Sequence, residues 1–331
     1  MAPRSSRTSS LWLLGSLVLL TGCDAFRTHD SEYDFPAVPA PAPSSASTNG
    51  PAKKPVPYSP GYAFDPYART TSRTPYVKID TSDSYTCALR DSNQLDCWGG
   101  VLTGQPSALV ELSASAKTAC GVDPNGAVQC WGATGGFVVP IGEKLSSIGV
   151  GDGFACALDP QGQPHCWGPS AIAPPPDTVL TQLAVGTDHA CGLDAKGKAI
   201  CWGNGEAAKP DAEDGPYFEI AAGSRTTCAI RTGSHTLSCW GLLDASQLTP
   251  VSVEHVAVTM GKACGLTETD EVVCWGLSRT NGQIVDWLAP PTSVRFSSLS
   301  LAPTHACGIR HDNGLALCWG RETSGEVTPP F

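Results

Sequence analysis

The sequence predicts an all-β protein: a seven-bladed β-propeller with one disulfide per blade, preceded by a signal peptide and a disordered proline-rich linker. Three observations support this fold. One short unit recurs seven times between residue 71 and the C-terminus. Each copy carries two cysteines that fall opposite each other in a predicted hairpin. The residues beside those cysteines alternate so that both faces of the sheet would be buried.

The repeat is marked by the string Cys-Trp-Gly, which occurs seven times. Each copy follows another cysteine by ten or eleven positions, and successive first cysteines are 33 to 43 residues apart. Self-similarity at such a period indicates a repeat architecture in which each unit is one supersecondary element. We number the units 1 to 7 in chain order.

The segment between the two cysteines of a unit predicts a β-hairpin. In unit 3, residues 159–162 (Asp-Pro-Gln-Gly) place proline at the first turn position and glycine at the left-handed position. Cys156 then faces Cys166 at a Cα separation of about 4.5–5.5 Å, which suits a disulfide. Zinc sites, the alternative, use close pairs such as Cys-x-x-Cys, which the sequence lacks. We expect these disulfides: Cys87–Cys97, Cys120–Cys130, Cys156–Cys166, Cys191–Cys201, Cys228–Cys239, Cys264–Cys274 and Cys307–Cys318.

The period of a strand assigns the neighbouring side chains to faces. Leu158 lies two residues after a cysteine and shares the disulfide's face, whereas Trp167 lies one residue after a cysteine and takes the opposite face. A sheet with apolar groups on both faces must be covered on both, and blades stacked around an axis meet that demand. An open solenoid would need distinct end caps, which are not evident. Residues 71–331 are therefore predicted to form the propeller.

Units 4 and 7 carry a longer pattern. Residues 187–191 and 303–307 end in His-Ala-Cys, and Gly-Gln or Pro-Pro dipeptides follow several Cys-Trp-Gly strings. The pattern resembles the regulator of chromosome condensation repeat over residues 75–331, in a form exported as a bacterial lipoprotein. The resemblance implies a seven-bladed propeller but no single function. The eukaryotic namesake is a basic nucleotide exchange factor on chromatin, whereas bacterial relatives include a secreted β-lactamase inhibitor.

Residues 1–22 are predicted to be a lipoprotein signal peptide. Basic residues precede an apolar run from Leu11 to Leu20, which is shorter than the about 20 residues that span a membrane. The run ends in Thr-Gly-Cys, which resembles the lipobox of bacterial lipoproteins, where the cysteine carries the lipid. Cys23, the one cysteine left outside the seven pairs, is the predicted lipidation site. An ordinary signal peptide is the alternative.

Residues 23–70 are predicted to be the lipidated N-terminus and a linker rich in Pro, Ala and Ser. Eight prolines lie between Pro36 and Pro60, and such a composition favours extended polyproline II. At about 3.1 Å per residue the linker would reach on the order of 100 Å. We therefore expect a spacer between the membrane and the propeller.

Charge and cysteine content restrict the compartment and the partners. Lys and Arg number 21 against 31 Asp and Glu, a net charge of −10, which argues against nucleic-acid binding. Fifteen cysteines suit an oxidising compartment. We expect a lipid-anchored monomer in the bacterial cell envelope, facing the periplasm or the cell surface.

No motif in the sequence indicates catalysis. Gly-x-Ser-x-Gly, His-Glu-x-x-His and phosphate-binding loops are missing, so no catalytic residue, metal or cofactor is predicted. His189 and His305 occupy the repeat's own histidine position, and we expect them to be structural.

Residues that break the repeat are the better guide to a binding site, and they follow each Cys-Trp-Gly. The candidate binding residues are Tyr217 and Phe218 after unit 4, and Asp286 and Trp287 after unit 6. Aromatic residues on loops over a rigid scaffold often anchor partners. The alternative is that Trp287 packs its long loop against its own blade.

The sequence thus predicts a membrane-tethered, extracytoplasmic binding or scaffold propeller that contacts a protein or an envelope ligand. Two alternatives remain open: a cell-envelope hydrolase or lyase on a propeller scaffold, and an inhibitor of a secreted enzyme. Convergent charged residues at one mouth of the channel would favour the enzyme.

Overall fold

A computed structural model describes the repeat region. The described residues are 74–100, 102–210, 215–243, 248–277, 279–280, 283–284, 288–321, 325 and 327–329, with the backbone alone at 279–280 and 283–284. The predicted signal peptide, Cys23 and the linker lie outside them. No helix within these ranges is long and apolar enough to cross a membrane.

The described strands form seven three-stranded antiparallel sheets, each built from consecutive strands of one unit. The prediction of an all-β, seven-bladed propeller is confirmed, with three strands per blade. The strands are β1 (Tyr76–Thr81), β2 (Tyr85–Arg90) and β3 (Leu95–Gly99) in blade 1; β4 (Glu111–Ala114), β5 (Thr118–Val122) and β6 (Val128–Gly132) in blade 2; β7 (Ser146–Val150), β8 (Ala155–Leu158) and β9 (Pro164–Trp167) in blade 3; β10 (Gln182–Val185), β11 (His189–Leu193) and β12 (Ala199–Gly203) in blade 4; β13 (Tyr217–Gly223), β14 (Thr226–Arg231) and β15 (Leu237–Gly241) in blade 5; β16 (His255–Thr259), β17 (Lys262–Leu266) and β18 (Val272–Trp275) in blade 6; a small hairpin of β19 (Arg279–Thr280) and β20 (Gln283–Ile284); and β21 (Phe296–Leu301), β22 (His305–Arg310) and β23 (Ala316–Gly320) in blade 7.

All seven predicted disulfides are present, one in each blade. Their Cα–Cα separations are 4.0–4.1 Å, because each pair occupies directly opposed positions of the second and third strands. In blade 4 the Gly186 N–H donates to the His189 carbonyl, so by alternation Cys191 turns its backbone groups toward β10. The cysteine pair is then a non-hydrogen-bonded pair, the closer of the two kinds.

The core lies between the blades in seven apolar clusters. In each, the first cysteine of one blade meets the tryptophan of the next blade. Cys87 packs with Trp131, and Cys307 of the last blade packs with Trp98 of the first. This arrangement confirms that the disulfide and the tryptophan occupy opposite faces of one sheet, each buried by a neighbour.

A second link joins every hairpin to the following blade. The residue eleven positions before each first cysteine, which we call the leading residue, donates its backbone N–H to the carbonyl of the left-handed residue in the preceding hairpin, at 2.8–3.1 Å. Leading residues are large, apolar or aromatic, and at most 5% exposed. They are Tyr76, Leu109, Leu145, Leu180, Tyr217, Val253 and Phe296, and their acceptors are Gly314, Asn93, Gly126, Gly162, Gly197, His235 and Asp270.

The ring closes without strand exchange, since each blade is a single run of the chain. Blade 7 meets blade 1 through the same leading-residue bond, from Tyr76 N to the Gly314 carbonyl at 2.8 Å. Ser300 Oγ also accepts from Thr81 N at 2.9 Å. The first and last blades are therefore held by noncovalent contacts of the kind found at the internal interfaces.

Candidate functional site in the central channel

A cavity of about 580 Å³ lies on the propeller axis. The first strand of every blade contributes to the cavity wall, together with the turn that follows it. These strands are β1, β4, β7, β10, β13, β16 and β21. The size of the cavity falls within the range of about 300–1,000 Å³ that is typical of small-molecule sites. The position five before each first cysteine holds a small residue or threonine: Ser82, Ser115, Gly151, Gly186, Gly223, Thr259 and Ala302. All of these except Gly151 line the cavity.

One repeat position in the wall is polar in three adjacent blades only. At the position seven before each first cysteine, three consecutive blades carry Ser300, Asp80 and Ser113. The other four blades carry small apolar residues there, namely Gly149, Ala184, Ala221 and Ala257. The polar arc therefore covers blades 7, 1 and 2.

Each polar side chain of this arc accepts a backbone N–H from the next blade. Ser113 Oγ accepts from Val150 N at 3.1 Å, and Asp80 Oδ2 accepts from Ala114 N at 2.8 Å. With the bond from Thr81 N to Ser300 Oγ, three neighbouring interfaces share one geometry. In each case the accepting oxygen belongs to the residue seven positions before the first cysteine of one blade. The donating N–H belongs to the residue six positions before the first cysteine of the following blade.

Asp80 is the most constrained charge in the channel. Its Oδ1 accepts from Ser300 Oγ at 2.9 Å and from Thr81 N at 3.0 Å. Burial raises the pKa of the Asp80 carboxyl, while these hydrogen bonds, the Ala114 N–H and the Lys78 charge oppose the rise. Both carboxyl oxygens already have donors, so Asp80 ties three blades together and is poorly placed to act as an acid or base.

Few other charges face the cavity. Its charged lining residues are Lys78, Asp80, Asp83 and Asp152. Partial burial raises the pKa of the Asp83 carboxyl. Within the described ranges, no group of three or more His, Cys, Asp or Glu is placed to hold a metal ion. The channel contains a cavity whose described residues do not assemble into an acid–base or nucleophilic constellation.

A second cavity of about 340 Å³ lies between blades 2 and 3 and shares Asp152 and part of its wall with the channel. The turns at 115–118 and 151–153 form two sides of it, and Phe137 and Pro169 contribute to the rest. It extends the channel mouth outward along one blade interface.

Comparison with known proteins assigns the repeat. A family model described as the regulator of chromosome condensation (RCC1) repeat matches residues 180–207, from the leading residue of blade 4 through its Cys-Trp-Gly. The other six units repeat this arrangement of leading residue, disulfide and tryptophan. The chain is a β-propeller whose fourth unit matches the RCC1 repeat.

Solved structures similar to this chain support the propeller fold. The ectodomain of the Arabidopsis thaliana receptor kinase ACR4 aligns with a TM-score of 0.65 and 23% identity, covering 77% of this chain and 99% of that one. The ectodomain of the Physcomitrella patens receptor kinase CR4 aligns with a TM-score of 0.64 and 24% identity, covering 75% and 74%. Human WBSCR16 aligns with a TM-score of 0.55 and 12% identity, covering 69% and 85%. At these identities the likeness concerns the fold.

The two histidines at the repeat's own histidine position are structural, as expected from their recurrence. His189 and His305 are fully buried. His189 Nε2 lies 2.8 Å from Thr227 Oγ1, and His305 Nε2 lies 3.0 Å from Thr86 Oγ1, each in the following blade. Burial lowers the pKa of His189. Neither histidine lines either of the two cavities described above.

The predicted loop position of Tyr217 and Phe218 is wrong, because both residues lie on β13. Tyr217 is 3% exposed, is the leading residue of blade 5 and packs near Trp240, with ring centroids 6.3 Å apart. Phe218 is half-buried, and its ring lies 4.9 Å from that of His235. Tyr217 therefore belongs to an interface between blades and offers little surface to a partner.

Asp286 and Trp287 lie outside the described residues, so the binding site assigned to them stays a prediction. The next residue, Leu288, is fully buried at the interface of blades 6 and 7. Its carbonyl accepts from Trp319 Nε1 at 3.3 Å. The long segment after blade 6 is thus anchored in the core immediately after Trp287.

Two positions of the repeat have functional or structural roles that the sequence analysis missed, although their spacing from the first cysteine is constant. The leading residue stands eleven positions before the first cysteine in all seven units, so aligning units on that cysteine would have placed Tyr217 in the core. The same alignment shows that only Asp80, Ser113 and Ser300 are polar seven positions before the cysteine. Both signals were hidden because the segments between units differ in length.

Proposed function

We propose that the chain is a membrane-tethered, extracytoplasmic propeller that binds a protein or an envelope ligand. The observation that carries the proposal is the disulfide in every blade, since seven such bonds indicate an oxidising compartment. The apolar run before Cys23 and its lipobox-like ending support export and a lipid anchor. The two plant receptor-kinase relatives are ectodomains, which is consistent with a propeller that presents a binding surface.

Partner contact is assigned to the connectors, the segments between each Cys-Trp-Gly and the next leading residue. Strand positions are occupied by the repeated core, whereas connectors vary in length and composition. The connector after blade 6 is the longest, contains the added β19–β20 hairpin and includes Asp286 and Trp287. We therefore assign the main contact to this connector.

The anchor is tested by expressing the full chain and its Cys23→Ala variant in a bacterium that processes lipoproteins. The unaltered protein should fractionate with membranes and carry the mass of a diacylglycerol on the peptide that begins at Cys23. The Cys23→Ala variant should appear in the soluble fraction. A variant that remains in the membrane fraction after loss of residues 1–22 would show that the anchor is not Cys23.

The partner site is tested by capture from an envelope extract, with bound proteins quantified by mass spectrometry. Loss of an aromatic anchor typically costs about 2 kcal/mol, so Trp287→Ala should weaken capture roughly 30-fold without lowering the melting temperature. Ile141, which is 97% exposed on the connector after blade 2, supplies a matched control, and Ile141→Ala should bind normally.

Tyr217→Ala supplies the opposite control, because it removes a buried leading residue and should lower the melting temperature. Unchanged capture by Trp287→Ala, combined with a melting temperature lowered like that of Tyr217→Ala, would place Trp287 in the core and refute the site.

A further inference from the structure

The inner edges of the blades present backbone groups to the channel. In blade 4, Gly186 N donates to the His189 carbonyl, so the alternation of an antiparallel ladder turns the N–H and C=O of Val185 away from β11 and toward the cavity. The equivalent bond from Ala302 N to the His305 carbonyl does the same for Leu301 in blade 7. The residue six before each first cysteine therefore faces the cavity with one donor and one acceptor.

In three blades the protein itself uses this donor. Thr81, Ala114 and Val150 stand at this position in blades 1 to 3, and their N–H groups are taken by Ser300, Asp80 and Ser113. In the other four blades the preceding blade offers only glycine or alanine. No side chain of the described residues accepts from the N–H of Val185, Ala222, Val258 or Leu301.

We propose that the arc of blades 4 to 7 binds a neutral, hydroxyl-rich ligand, a short oligosaccharide, in the central channel. The ligand's hydroxyl oxygens would accept from the N–H groups of Val185, Ala222, Val258 and Leu301, as side-chain oxygens do in blades 1 to 3. This site lies within the cavity of about 580 Å³ and is separate from the connector site proposed above.

The chemistry of the wall selects this ligand class. Each inner edge offers an N–H beside a C=O, and a hydroxyl can both accept and donate. Apolar side chains that are not fully buried, among them Leu183, Val185 and Met260, also line this arc and suit the C–H surfaces of a sugar ring. The unsatisfied groups are spread over four strands, whereas an extended peptide running along one strand would pair with that edge alone.

Charge argues against an anionic ligand. Three carboxylates, Asp80, Asp83 and Asp152, line the cavity against the single cation Lys78. An anion would gain the same N–H groups but would meet this acidic wall. A neutral polyol has the acceptors without the repulsion.

The test measures ligand-observed saturation transfer between the full chain and maltotriose, cellotriose and chitotriose at millimolar concentration, followed by titration of any sugar that binds. Ala221→Ser and Ala257→Ser place a hydroxyl where blades 7 and 2 carry Ser300 and Ser113, beside Val258 N and Leu301 N. Each serine should weaken sugar binding about 5- to 10-fold, because it takes one N–H from the ligand.

Ser113→Ala is the matched control. It frees Val150 N and should leave sugar binding equal or tighter, with the fold checked by circular dichroism for all three variants. The proposal is overturned if none of the three sugars binds, if the serine variants bind as well as the unaltered chain, or if trialanine displaces the bound sugar. Trp287→Ala should leave sugar binding unchanged, so failure here is distinct from failure of the connector site.

Discussion

His189 Nε2 lies 2.8 Å from Thr227 Oγ1 across the interface of blades 4 and 5, and both side chains are fully buried. The Thr227 hydroxyl donates to the Ala207 carbonyl at 2.9 Å, so it accepts from the His189 ring. The pair recurs once, as His305 and Thr86. In the other five blades the residue before the first cysteine is alanine: Ala119, Ala155, Ala190, Ala263 and Ala306. A threonine therefore stands there only where the preceding blade supplies a histidine.

Thr227→Ala should destabilise the propeller although it installs the residue that five other blades use. The substitution fits sterically but leaves the buried N–H of His189 without an acceptor. We expect a loss of about 1–3 kcal/mol, the desolvation cost of an unsatisfied buried polar group. Calorimetric melting of the oxidised protein measures it.

A second substitution should reverse that loss. Blade 3 has Phe154 at the histidine position and packs it near Ala190 of blade 4, with no polar pair. His189→Phe in the Thr227→Ala background copies this interface and should recover most of the melting temperature, whereas His189→Phe alone should not. Losses that simply add in the double variant would mean that the two residues are not coupled.

The pairing of His189 with Thr227 illustrates what sequence could and could not predict. Cys156 and Cys166 belong to one hairpin, so local turn chemistry was enough to place them opposite each other. His189 and Thr227 are 38 positions apart in different blades, and their contact depends on how neighbouring blades stack. Tyr217 was misassigned because the connector before it has its own length, which hides a constant spacing to Cys228. The channel wall was missed for the same reason, since Asp80 and Ala114 meet only once the blades are stacked.

The pair of His255 and Glu219 predicts a pH-dependent interface between blades 5 and 6. Their Nδ1 and Oε2 atoms lie 3.0 Å apart, and the Glu219 carboxylate raises the pKa of His255 above its ordinary value of 6.5, with smaller support from the Glu254 and Asp270 charges. Burial opposes the rise. The pKa of His255 is therefore higher in the folded protein than in the unfolded chain. The stability that the protonated pair contributes is complete below the unfolded pKa and is lost as pH rises through the folded pKa.

Melting temperatures of the unaltered protein and of His255→Gln should therefore diverge as pH falls from about 8 to about 6, with the unaltered protein gaining. The NMR titration midpoint of His255 should lie above the ordinary range. A difference in melting temperature that stays constant over this interval would show that the pair does not contribute through proton binding.

The seven disulfides should differ in their resistance to reduction under native conditions. In blade 5 both Cys228 and Cys239 are buried, with Cys239 9% exposed, whereas in the other six blades the second cysteine is half-buried. A thiolate must reach a sulfur to break a disulfide. We expect Cys228 and Cys239 to be labelled last when partially reduced protein is alkylated and mapped over time. Early labelling of this pair would show that local opening, rather than static burial, controls access.

The glycine of Cys-Trp-Gly should resist replacement by any residue with a side chain. All seven such glycines have φ between +73° and +121°. In blade 4, a Cβ on Gly203 would lie 2.7 Å from the Asp188 carbonyl oxygen and 2.7 Å from His189 Cα, both of them backbone atoms that cannot rotate away. Gly203→Ala should therefore lower the free energy of unfolding by roughly 2–4 kcal/mol, from the left-handed backbone and from displacement of the turn that precedes His189.

Gly135 is the matched control, because a Cβ there would meet nothing within 4 Å. Gly135→Ala should melt within about 0.5 kcal/mol of the unaltered protein, as surface substitutions usually do. Equal melting temperatures for the two variants would mean that blade 4 can shift its second strand at little cost, and the backbone contact at Gly203 would then not be a constraint on the repeat.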